Sequence, residues 1–363
     1  MFSATDYAMM ARAIFLAEQG RAIATPNPFV GCVIAKDGRI IGEGFTRAGG
    51  RPHAEADALA NCTGSPEGAT VYVTLEPCAL HATSRGPACS DLLVDARVAR
   101  VVSALHDPYA GVDGKGHLHL QEAGIQLDTG LMEAEVRKQL KAFLARASRG
   151  RPYVTMKVAA SIDGKTALAN GQSKWITSAE ARRDVHAMRR DACAMLTGIG
   201  TVLADDPALT VRDVPCTRQP LRVLLDSRLD VADSAQILQG GNTMIVTSTG
   251  DEVRAVALAQ RGIPVTRVKT DAVKGKVDLC AMMHMLGSKN LNSIMVETGA
   301  KLNASLLMAG VVDEIVFYLA PAILGDSARG LFALPELQSL QDKIALKFMD
   351  VRQIGPDIRL HAT

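Results

Sequence analysis

One histidine, one glutamate and two cysteines in short motifs constrain this chain more than any other feature of its sequence. A His-Ala-Glu run begins at His53, a Pro-Cys pair ends at Cys78, and a further cysteine follows at Cys89. The first run opens a predicted helix, and the Pro-Cys pair follows a predicted strand at residues 70–75. One imidazole and two thiolates supply three ligands to Zn²⁺ and leave its fourth tetrahedral position for water. The sequence therefore predicts a zinc site formed by His53, Cys78 and Cys89.

Glu55 lies two residues after the predicted histidine ligand and is the candidate general acid–base. Zinc lowers the pKa of its bound water towards neutrality, so that hydroxide becomes available as a nucleophile. A carboxylate beside it can take the water's proton and pass it to a ring nitrogen and to leaving ammonia, help that contributes ~10²–10⁴-fold. This arrangement is typical of zinc-dependent nucleobase deaminases. Chance is the alternative, because buried cysteines usually behave as small hydrophobic residues.

The length of the chain indicates two domains. Its 363 residues, 48% of them hydrophobic, are more than one core normally takes, since domains cluster near ~150 residues. A short basic segment at residues 143–152, closed by Gly150 and Pro152, is the candidate boundary. We therefore expect a zinc-dependent deaminase domain at residues 1–147 and a second domain at residues 148–363.

The composition argues against several classes of partner. The 40 basic and 38 acidic residues give a formal net charge of +2, with no basic stripe for nucleic acid. Aromatic residues make up 4%, too few for a base-stacking platform. No apolar run approaches the ~18 residues that span a membrane. A small polar substrate that can carry negative charge fits this composition.

The cysteines and the N-terminal residues indicate a cytoplasmic location. Seven cysteines are scattered along the chain, and this odd number forms a poor disulfide framework. The first residues lack the basic and apolar segments of a signal peptide. A reducing, cytoplasmic environment is therefore the expectation. Whether the chain is a monomer or a homo-oligomer stays open at this point.

Hydrophobic periodicity predicts that the first domain is α/β. Asp37-Gly38 between two apolar runs predicts a β-hairpin, and Pro52 is expected in the first turn of the helix that carries Glu55. The expected elements are a helix from Asp6 to about Gln19, strands at 30–35 and 39–42, a helix at 52–59, a strand at 70–75, a helix at 90–96 and a strand at 100–104. This order predicts a compact three-layer arrangement.

The second domain is predicted to be α/β as well. Its strands are expected at residues 153–160, 192–197, 221–226, 243–248, 293–297 and 314–319. No Gly-x-Gly-x-x-Gly follows the first of them, so the commonest dinucleotide-binding fold is not supported. A turn at Gly299 before a helix at 302–308 instead predicts free backbone N–H groups that can bind a cofactor phosphate. A plain strand–helix turn is the alternative.

The combined motifs resemble the bifunctional riboflavin deaminase–reductase family over nearly the whole chain. In the first domain they are Thr25-x-Asn27-Pro28-x-Val30-Gly31-x-Val33-Ile34, Gly42-x-Gly44, His53-Ala54-Glu55 and Tyr72-Val73-Thr74-Leu75-Glu76-Pro77-Cys78. In the second they are Pro152-Tyr153-x-x-x-Lys157, Ser161-x-Asp163-Gly164, Ser173-x-Trp175-Ile176-Thr177, Asp205-Asp206-Pro207-x-Leu209-Thr210, Glu297-x-Gly299 and Ala320-Pro321. The resemblance implies a cytidine-deaminase-like three-layer α/β/α domain followed by a dihydrofolate-reductase-like α/β domain.

The resemblance also implies the chemistry. The family deaminates 2,5-diamino-6-ribosylamino-4(3H)-pyrimidinone 5′-phosphate with zinc, and then reduces the ribosyl group to ribityl with NADPH. Glu55 and Asp205 would be catalytic, with Asp205 delivering a proton as hydride reaches C1′ of the sugar. Cofactor contacts would carry over to Ala159, Trp175, Thr201, Asp205, Ser227, Gly299, Ala300, Lys301, Leu302, Asn303, Ala304 and Ser305. Substrate contacts would carry over to Asn27, His81, Arg85, Lys157, Ser173, Arg189, Leu209, Arg212 and Glu297.

Simpler interpretations of several of these residues stay open. Arginine suits a ribose phosphate because its guanidinium forms two parallel hydrogen bonds with phosphate. Asn27, however, is also a common turn residue in a proline-rich loop. Lys157 could be an ordinary exposed strand residue, and Asp205-Asp206-Pro207 could be a helix-ending turn.

The chain departs from the family pattern near the predicted zinc site. Residues Ala79 to Ala88 separate the two cysteines, a longer spacing than the family usually has. Thr46 stands where relatives commonly have histidine, and Tyr109-Ala110 replaces the usual Asn-Pro. The ligands survive, so the deaminase substrate is what these departures put in question. One alternative is a reductase whose deaminase half acts on another pyrimidine or adenine. Another is a non-catalytic zinc fold that serves as a binding module.

Overall fold

The hairpin predicted at Asp37-Gly38 is present in the computed structural model of the chain, which describes residues 1–79, 86–271 and 275–363. Strand β1 (Gly31–Lys36) pairs antiparallel with strand β2 (Arg39–Phe45). Asp37 and Gly38 have φ values of 51° and 75°. Two successive residues with positive φ are what the tight hairpin turn requires, and Asp-Gly accommodates them.

The first unit of the structure, Met1–Gly150, surrounds a five-stranded sheet. Helix α1 (Ala4–Ala17) precedes the hairpin. The hairpin is followed by α2 (Ala54–Ala60), β3 (Thr70–Val73), α3 (Cys89–Asp95), β4 (Arg100–Ser103), α4 (Lys115–Glu122), β5 (Gln126–Thr129), α5 (Glu133–Gln139) and α6 (Lys141–Arg149). The strand order is β2-β1-β3-β4-β5, in which β3, β4 and β5 are parallel.

Two glycines show that helices cover both faces of this sheet. A Cβ atom at Gly31 would lie 1.9 Å from the carbonyl oxygen of Ala13 in α1. A Cβ atom at Gly44 would lie 2.4 Å from the carbonyl oxygen of Ala54 in α2. Gly44 pairs with Cys32, and successive strand residues point to opposite faces, so Gly44 and Gly31 face opposite sides. The three-layer α/β/α prediction is therefore confirmed.

The structure corrects two expectations about the first unit. Helix α2 begins at Ala54, so Pro52 lies before the helix and not in its first turn. Four elements, α4, β5, α5 and α6, follow the last strand that the periodicity predicts. These helices are short, and β5 has no fully buried residue, so neither produces a strong hydrophobic pattern.

The second unit, Arg151–Thr363, contains a nine-stranded sheet within the described ranges. Its elements are β6 (Tyr153–Ser161), β7 (Lys165–Ala167), α7 (Ala179–Asp191), β8 (Ala194–Gly198), α8 (Ile199–Asp205), β9 (Leu221–Leu225), β10 (Thr243–Thr247), α9 (Glu252–Gln260), β11 (Val265–Arg267), α10 (Leu279–Ser288), β12 (Ser293–Val296), α11 (Ala300–Met308), β13 (Glu314–Ala320), β14 (Arg329–Gly330), β15 (Phe348–Ile354) and β16 (Asp357–Ala362). The two units divide after Gly150, whereas the sequence boundary at 147/148 lies inside α6.

The large sheet is mostly parallel. Its strand order is β11-β10-β9-β8-β12-β6-β13-β16-β15. The strands from β11 to β13 run parallel, and β16 and β15 add an antiparallel edge. This sheet confirms the predicted α/β class. Among the described residues, no helix is both long enough and apolar enough to cross a membrane.

The six predicted strands of this unit correspond to β6, β8, β9, β10, β12 and β13, with ends that agree within two residues. Parallel strands that are buried on both faces appear as continuous hydrophobic runs, which explains their prediction. The periodicity does not predict β7, β11, β14, β15 and β16. Strand β15 illustrates the reason, because Phe348, Met349 and Val351 are all exposed and no alternation marks a buried face.

Candidate active sites

Helix α2 carries the His-Ala-Glu run. His53 is the residue before the helix, and Glu55 lies in its first turn with only 4% of its surface exposed. Asp57 anchors this helix start, because its carboxylate accepts a hydrogen bond from the Phe45 N–H over 3.0 Å and pairs with Arg47 at 2.9 Å. The end of β2 therefore fixes the position of His53 and Glu55.

The two cysteines reach His53 from separate segments. Cys78 lies in the loop after β3, and Cys89 is the first residue of α3. The His53 Nδ1 atom lies 3.5 Å from Cys78 Sγ and 3.3 Å from Cys89 Sγ. A tetrahedral ion with bonds of about 2.0 Å to nitrogen and about 2.3 Å to sulfur would separate these atoms by roughly 3.5 Å. The three ligand atoms, all within 4.8 Å of one another, therefore fit zinc.

Burial and sulfur contacts shift the pKa values at this site. Burial raises the pKa of Glu55 to about 7. The hydrogen bond with the Cys89 thiol lowers the pKa of Cys78 to about 4, and the hydrogen bond with His53 acts in the same direction. The same thiol–thiolate contact raises the pKa of Cys89. Thiolates are the metal-binding form of cysteine, so the Cys78 sulfur is ready to bind a cation.

A buried carboxylate to which the sequence analysis assigns no role holds the loop that carries Cys78. Glu76 accepts hydrogen bonds of 3.0–3.3 Å from four backbone N–H groups, those of Asp107, Gly114, Gly116 and His117. A Cβ atom at Gly116 would lie 1.8 Å from the Pro77 carbonyl oxygen, so this close approach requires glycine. The motif around Cys78 contains Glu76, but only the fold shows where its partners come from.

Asn27 lies in the loop between α1 and β1. Its side-chain amide donates a hydrogen bond to the Gly49 carbonyl oxygen over 3.2 Å. A Cβ atom at Gly50 would lie 1.9 Å from Asn27 Nδ2, so the two segments pack closely. Asn27 thus belongs to a loop that contacts the turn before His53. The other predicted deaminase substrate residues, His81 and Arg85, lie outside the described residues.

Thr46 and Tyr109, two residues at which the chain departs from the family pattern, lie within the described part of the first unit. Thr46 is 2% exposed, and its hydroxyl accepts a hydrogen bond from the Val30 N–H over 2.9 Å. Thr46 therefore stabilises the start of the hairpin. Tyr109 is 53% exposed, and its N–H donates to the Asp107 carboxylate over 2.9 Å. Burial raises the pKa of that carboxyl to about 6.

Three predicted substrate residues form one charged cluster in the second unit. Arg189 on α7 makes two hydrogen bonds, of 2.5 Å and 2.9 Å, with the Glu297 carboxylate. Strands β12 and β6 are paired so that Val296 lies opposite Met156. This register brings Glu297 beside Lys157, with 3.9 Å between Lys157 Nζ and Glu297 Oε2. The Lys157 side chain is 16% exposed, so the alternative of an ordinary exposed strand residue is wrong.

The cluster keeps its charges in spite of burial. Burial opposes ionisation of Glu297, but the positive charges of Arg189 and Lys157 outweigh it and lower the pKa of Glu297 to about 2. Burial also lowers the pKa of Lys157, while Glu297 acts in the opposite direction. A buried carboxylate between two cations leaves one net positive charge beside the sheet edge.

The predicted catalytic Asp205 is the last residue of α8. Asp206 follows it with φ 42°, which confirms that this segment ends the helix. The helix-ending turn and a role for the side chain are compatible, because the Ser173 hydroxyl lies 3.4 Å from the Asp205 carboxylate. The structure therefore brings together Ser173 and Asp205, which the family resemblance assigns to substrate and to catalysis.

The loop after α8 carries Leu209 and Arg212. Leu209 is buried and has φ 51°. The Thr210 carbonyl oxygen accepts a hydrogen bond from Arg189 over 3.2 Å, which connects this loop to the charged cluster. Arg212 is exposed, and its guanidinium donates to the Thr210 hydroxyl over 3.0 Å. An exposed cation therefore stands next to the cluster of Lys157, Arg189 and Glu297.

Four of the predicted cofactor residues lie at one edge of the large sheet. Strands β9, β8, β12 and β6 are adjacent and parallel, so their carboxyl ends share this edge. Ser227 follows β9, Thr201 lies in the first turn after β8, and Ala159 lies near the end of β6. A Cβ atom at Gly299, which follows β12, would lie 4.0 Å from Thr201 Oγ1. Ligands of open parallel sheets bind outside this edge.

The segment from Gly299 to Ser305 faces outward only in part. Gly299 and Lys301 are exposed, whereas Asn303 and Ala304 are buried. Asn303 Oδ1 accepts a hydrogen bond from the Thr298 hydroxyl over 2.5 Å. The Leu302 N–H makes the first hydrogen bond of helix α11, to the Gly299 carbonyl oxygen. The N–H groups of Ala300 and Lys301 lie before this bond, at the start of the helix. These two N–H groups are available to a phosphate.

Trp175 follows Ser173 and Lys174, two residues that contact Asp205. It is 70% exposed, and the Arg182 guanidinium lies 4.6 Å from its ring centroid. This arginine covers one face of the indole by a cation–π contact.

A histidine that the sequence analysis does not single out contacts the Arg212 loop. His186 on α7 is 5% exposed, and its Nδ1 atom accepts a hydrogen bond from the Arg212 N–H over 3.1 Å. It lies three residues before Arg189, a spacing that puts both side chains on one helix face. That spacing was the only sequence feature that could have pointed to it.

Comparisons with known proteins match both units of the chain. The family model of the cytidine and deoxycytidylate deaminase zinc-binding region matches residues 3–105, and that of the RibD C-terminal domain matches residues 152–360. Riboflavin biosynthesis protein RibD of Escherichia coli K12 is 45% identical over 368 residues, 98% of each chain. The structure of Acinetobacter baumannii RibD matches with a TM-score of 0.91 at 39% identity, covering 99% of this chain and 98% of that one.

A further structure comes from Thermotoga maritima and is described as a diaminohydroxyphosphoribosylaminopyrimidine deaminase/5-amino-6-(5-phosphoribosylamino)uracil reductase. It matches with a TM-score of 0.86 at 30% identity, covering 99% of this chain and 98% of that one. These similarities extend over both units and imply a zinc ion and a nicotinamide cofactor. The chain therefore belongs to the RibD family of riboflavin biosynthesis enzymes, in which a deaminase domain precedes a reductase domain.

Proposed function

We propose that the first unit deaminates 2,5-diamino-6-ribosylamino-4(3H)-pyrimidinone 5′-phosphate at a zinc ion held by His53, Cys78 and Cys89. The observation that carries this proposal is the convergence of one nitrogen and two sulfur atoms from three segments within 4.8 Å. A zinc ion in this position supplies Lewis-acid activation of water. The residues themselves hold the ion, orient the substrate and move protons.

Glu55 moves the protons of this reaction. Its buried carboxyl group lies in the same helix turn as His53 and is not needed as a ligand. The carboxylate accepts a proton from the attacking water and donates it to the ring nitrogen, and a second transfer releases ammonia. Asn27, together with His81 and Arg85 outside the described residues, is proposed to hold the pyrimidine nucleotide.

The second unit is proposed to reduce the ribosyl side chain of the deaminated product with NADPH. The carboxyl edge of β9, β8, β12 and β6 would hold the cofactor, which would supply the hydride, and the N–H groups of Ala300 and Lys301 would bind one of its phosphates. Hydride carries two electrons to C1′ of the sugar, and a proton neutralises the negative charge that develops. Asp205, held by Ser173, delivers that proton. The net change is the addition of two hydrogen atoms.

The charged cluster and the neighbouring loop are proposed to hold the second substrate. Arg212 binds the phosphate, because its exposed guanidinium can form two parallel hydrogen bonds with phosphate oxygens. Lys157, Arg189 and Glu297 contact the polar sugar, and Leu209 packs against the ring. A cytoplasmic location and self-association of the chain stay predictions.

The test is an assay of the purified protein with the diaminopyrimidine nucleotide, with and without NADPH. Without NADPH, the deaminated nucleotide should accumulate with release of ammonia. With NADPH, it should be converted to the ribityl product with equimolar NADPH consumption. Release of ammonia from another pyrimidine or from adenine, and not from this nucleotide, would overturn the proposed first step. NADPH consumption with the deaminated nucleotide supplied directly tests the second step by itself.

A further inference from the structure

The buried imidazole of His186 makes both of its hydrogen-bonding contacts with the loop that carries Arg212. Its Nδ1 atom lies 3.1 Å from the Arg212 backbone nitrogen, and its Nε2 atom lies 3.4 Å from the Asp213 carboxylate. The side chain is 6% exposed, whereas that of Asp213 is 53% exposed. His186 therefore connects helix α7 to two successive residues at the surface.

The contact with the Arg212 backbone fixes the tautomer of His186. A backbone N–H can only donate, so Nδ1 must be the acceptor and the ring proton sits on Nε2, facing Asp213. Burial lowers the pKa of His186, and the positive charge of Arg189 lowers it further. The neutral form that this geometry requires is thus the form that the surroundings favour.

Neighbouring side chains fix the other residues of the same loop. Arg189 donates to the Thr210 carbonyl oxygen over 3.2 Å. The Gln219 side chain accepts from the Val211 N–H over 2.8 Å and donates to the Val211 carbonyl oxygen over 2.9 Å. His186 continues this series at Arg212, so the backbone from Thr210 to Arg212 is held residue by residue. Such preorganisation matters most where a side chain must meet a ligand in one geometry.

We propose that His186 is a positioning residue of the reductase. Its neutral imidazole holds the Arg212 backbone through Nδ1 and thereby aims the Arg212 guanidinium at the phosphate of the substrate. This inference rests on the proposed function of Arg212 as the phosphate contact. His186 itself does not touch the substrate, so it acts on binding and not on the hydride step.

Two substitutions of similar size separate the two ring nitrogens. Asparagine places a carbonyl oxygen at the position of Nδ1, and glutamine places its amide at the position of Nε2. We expect His186→Asn to keep the KM for the deaminated nucleotide within about twofold, because it keeps the acceptor for Arg212. His186→Gln loses that acceptor and should raise this KM by ~10-fold, a loss typical of one charge-assisted contact. The kcat of both variants should stay close to that of the wild type.

The dephosphorylated substrate and an arginine variant complete the experiment. With the nucleoside that lacks the phosphate, wild type and His186→Gln should have the same KM, since Arg212 then has nothing to bind. Arg212→Ala should raise the KM for the nucleotide at least as much as His186→Gln does. If Arg212→Ala leaves this KM unchanged, the assignment of Arg212 to the phosphate is wrong, which is a failure of the proposed function.

Other results would overturn the positioning role while that assignment stands. They are a raised KM in Arg212→Ala together with an unchanged KM in His186→Gln, or equal effects of His186→Asn and His186→Gln. A loss of kcat or of melting temperature in His186→Asn would show that the imidazole only fills the core. Melting curves of each variant are recorded with the kinetics. If His186→Gln does not fold, the result for His186→Asn alone decides, because a KM raised tenfold in this folded variant contradicts the proposal.

Discussion

Cys78 and Cys89 show how single residues can be suited to a metal before it binds. The thiol of one stabilises the thiolate of the other, so the pKa of Cys78 falls while that of Cys89 rises. Cys78 and Cys89 would hold a zinc ion as thiolates, the form in which cysteine binds metals, and binding would release the remaining thiol proton. His53 supplies a ring nitrogen at the distance that a tetrahedral ion needs. Loss of both sulfur ligands should therefore abolish the site.

The first prediction is that Cys78→Ser combined with Cys89→Ser removes the zinc. The wild-type protein, purified without added zinc, should contain about one ion per chain by the three-ligand geometry. The double variant should contain close to none, as measured by elemental analysis. A control that also removes two thiols, Cys62→Ser with Cys280→Ser, should keep its zinc. Equal zinc in the two double variants would contradict the assignment of the ligands.

The residues that form or support the two candidate sites differ in how far they can be predicted from the sequence. His53, Glu55, Cys78 and Cys89 are predictable because their chemistry requires particular residue types in short motifs. Glu76 and His186 are not, because their partners lie 31 and 26 residues or more away along the chain. Nothing in a linear pattern tells which backbone groups will meet such a side chain. Their roles follow only from the packed fold.

Among the elements of the fold, the loop after β4 and the start of α4, together residues 107–117, depend on one side chain. The Glu76 carboxylate accepts four backbone hydrogen bonds from this segment and has a side-chain exposure of 0%. Removing the carboxylate would leave these donors buried and unsatisfied, and each such group costs ~1–3 kcal/mol. The same segment packs against Pro77, so its order and that of the Cys78 segment are coupled.

We therefore predict that Glu76→Ala lowers the free energy of unfolding of the first unit by roughly 3 kcal/mol or more. Calorimetry should show a lower melting temperature for this unit and an unchanged transition for the second. Glu67→Ala is the matched control, because the Glu67 side chain is 63% exposed, and such changes stay within about 0.5 kcal/mol. If the two variants melt alike, Glu76 does not hold the segment of residues 107–117.

Helix α11 is the element that should determine the choice of cofactor. Its first N–H groups, those of Ala300 and Lys301, lie at the carboxyl edge of the sheet beside an exposed lysine side chain. We expect the extra phosphate of NADPH to gain charged hydrogen bonds in such surroundings, bonds that NADH cannot form. Charge-assisted bonds contribute ~1.5–3 kcal/mol each, which corresponds to about 10–100-fold.

The third prediction is that kcat/KM with NADPH exceeds that with NADH by at least about tenfold. The difference should shrink as salt is added, because screening weakens contacts between charges more than contacts between neutral groups. Initial rates with both cofactors at low and high ionic strength provide the measurement. Equal kcat/KM values at matched concentrations would show that no residue of this chain recognises the extra phosphate.

At the scale of the whole molecule, the sequence predicts the two α/β units and the succession of their buried strands along the chain. It does not predict β15 and β16, which extend the large sheet at its antiparallel edge, since Phe348, Met349 and Val351 face outward. It also does not predict which strands become neighbours. Strand β12 inserts between β8 and β6, and only this order brings Glu297 to Lys157 and Gly299 to Thr201.

The last prediction is that single substitutions separate the two reactions. Glu55→Gln keeps the shape of the side chain but removes the group that transfers protons, so deamination should fall by ~10²-fold or more. Zinc content should not change, because Glu55 is not one of the three predicted ligands. Reduction of the deaminated nucleotide should continue, because the residues proposed to carry out this step all lie in the second unit, beyond Arg151.

Arg212→Ala is the reciprocal variant. It should weaken reduction through a higher KM for the phosphorylated substrate and leave ammonia release from the first substrate unchanged. Both variants are assayed for both steps, with zinc content and melting temperature measured on the same samples. The model of two independent sites requires that each variant affect one step only. It would have to be abandoned if Glu55→Gln, folded and loaded with zinc, could no longer reduce the deaminated nucleotide.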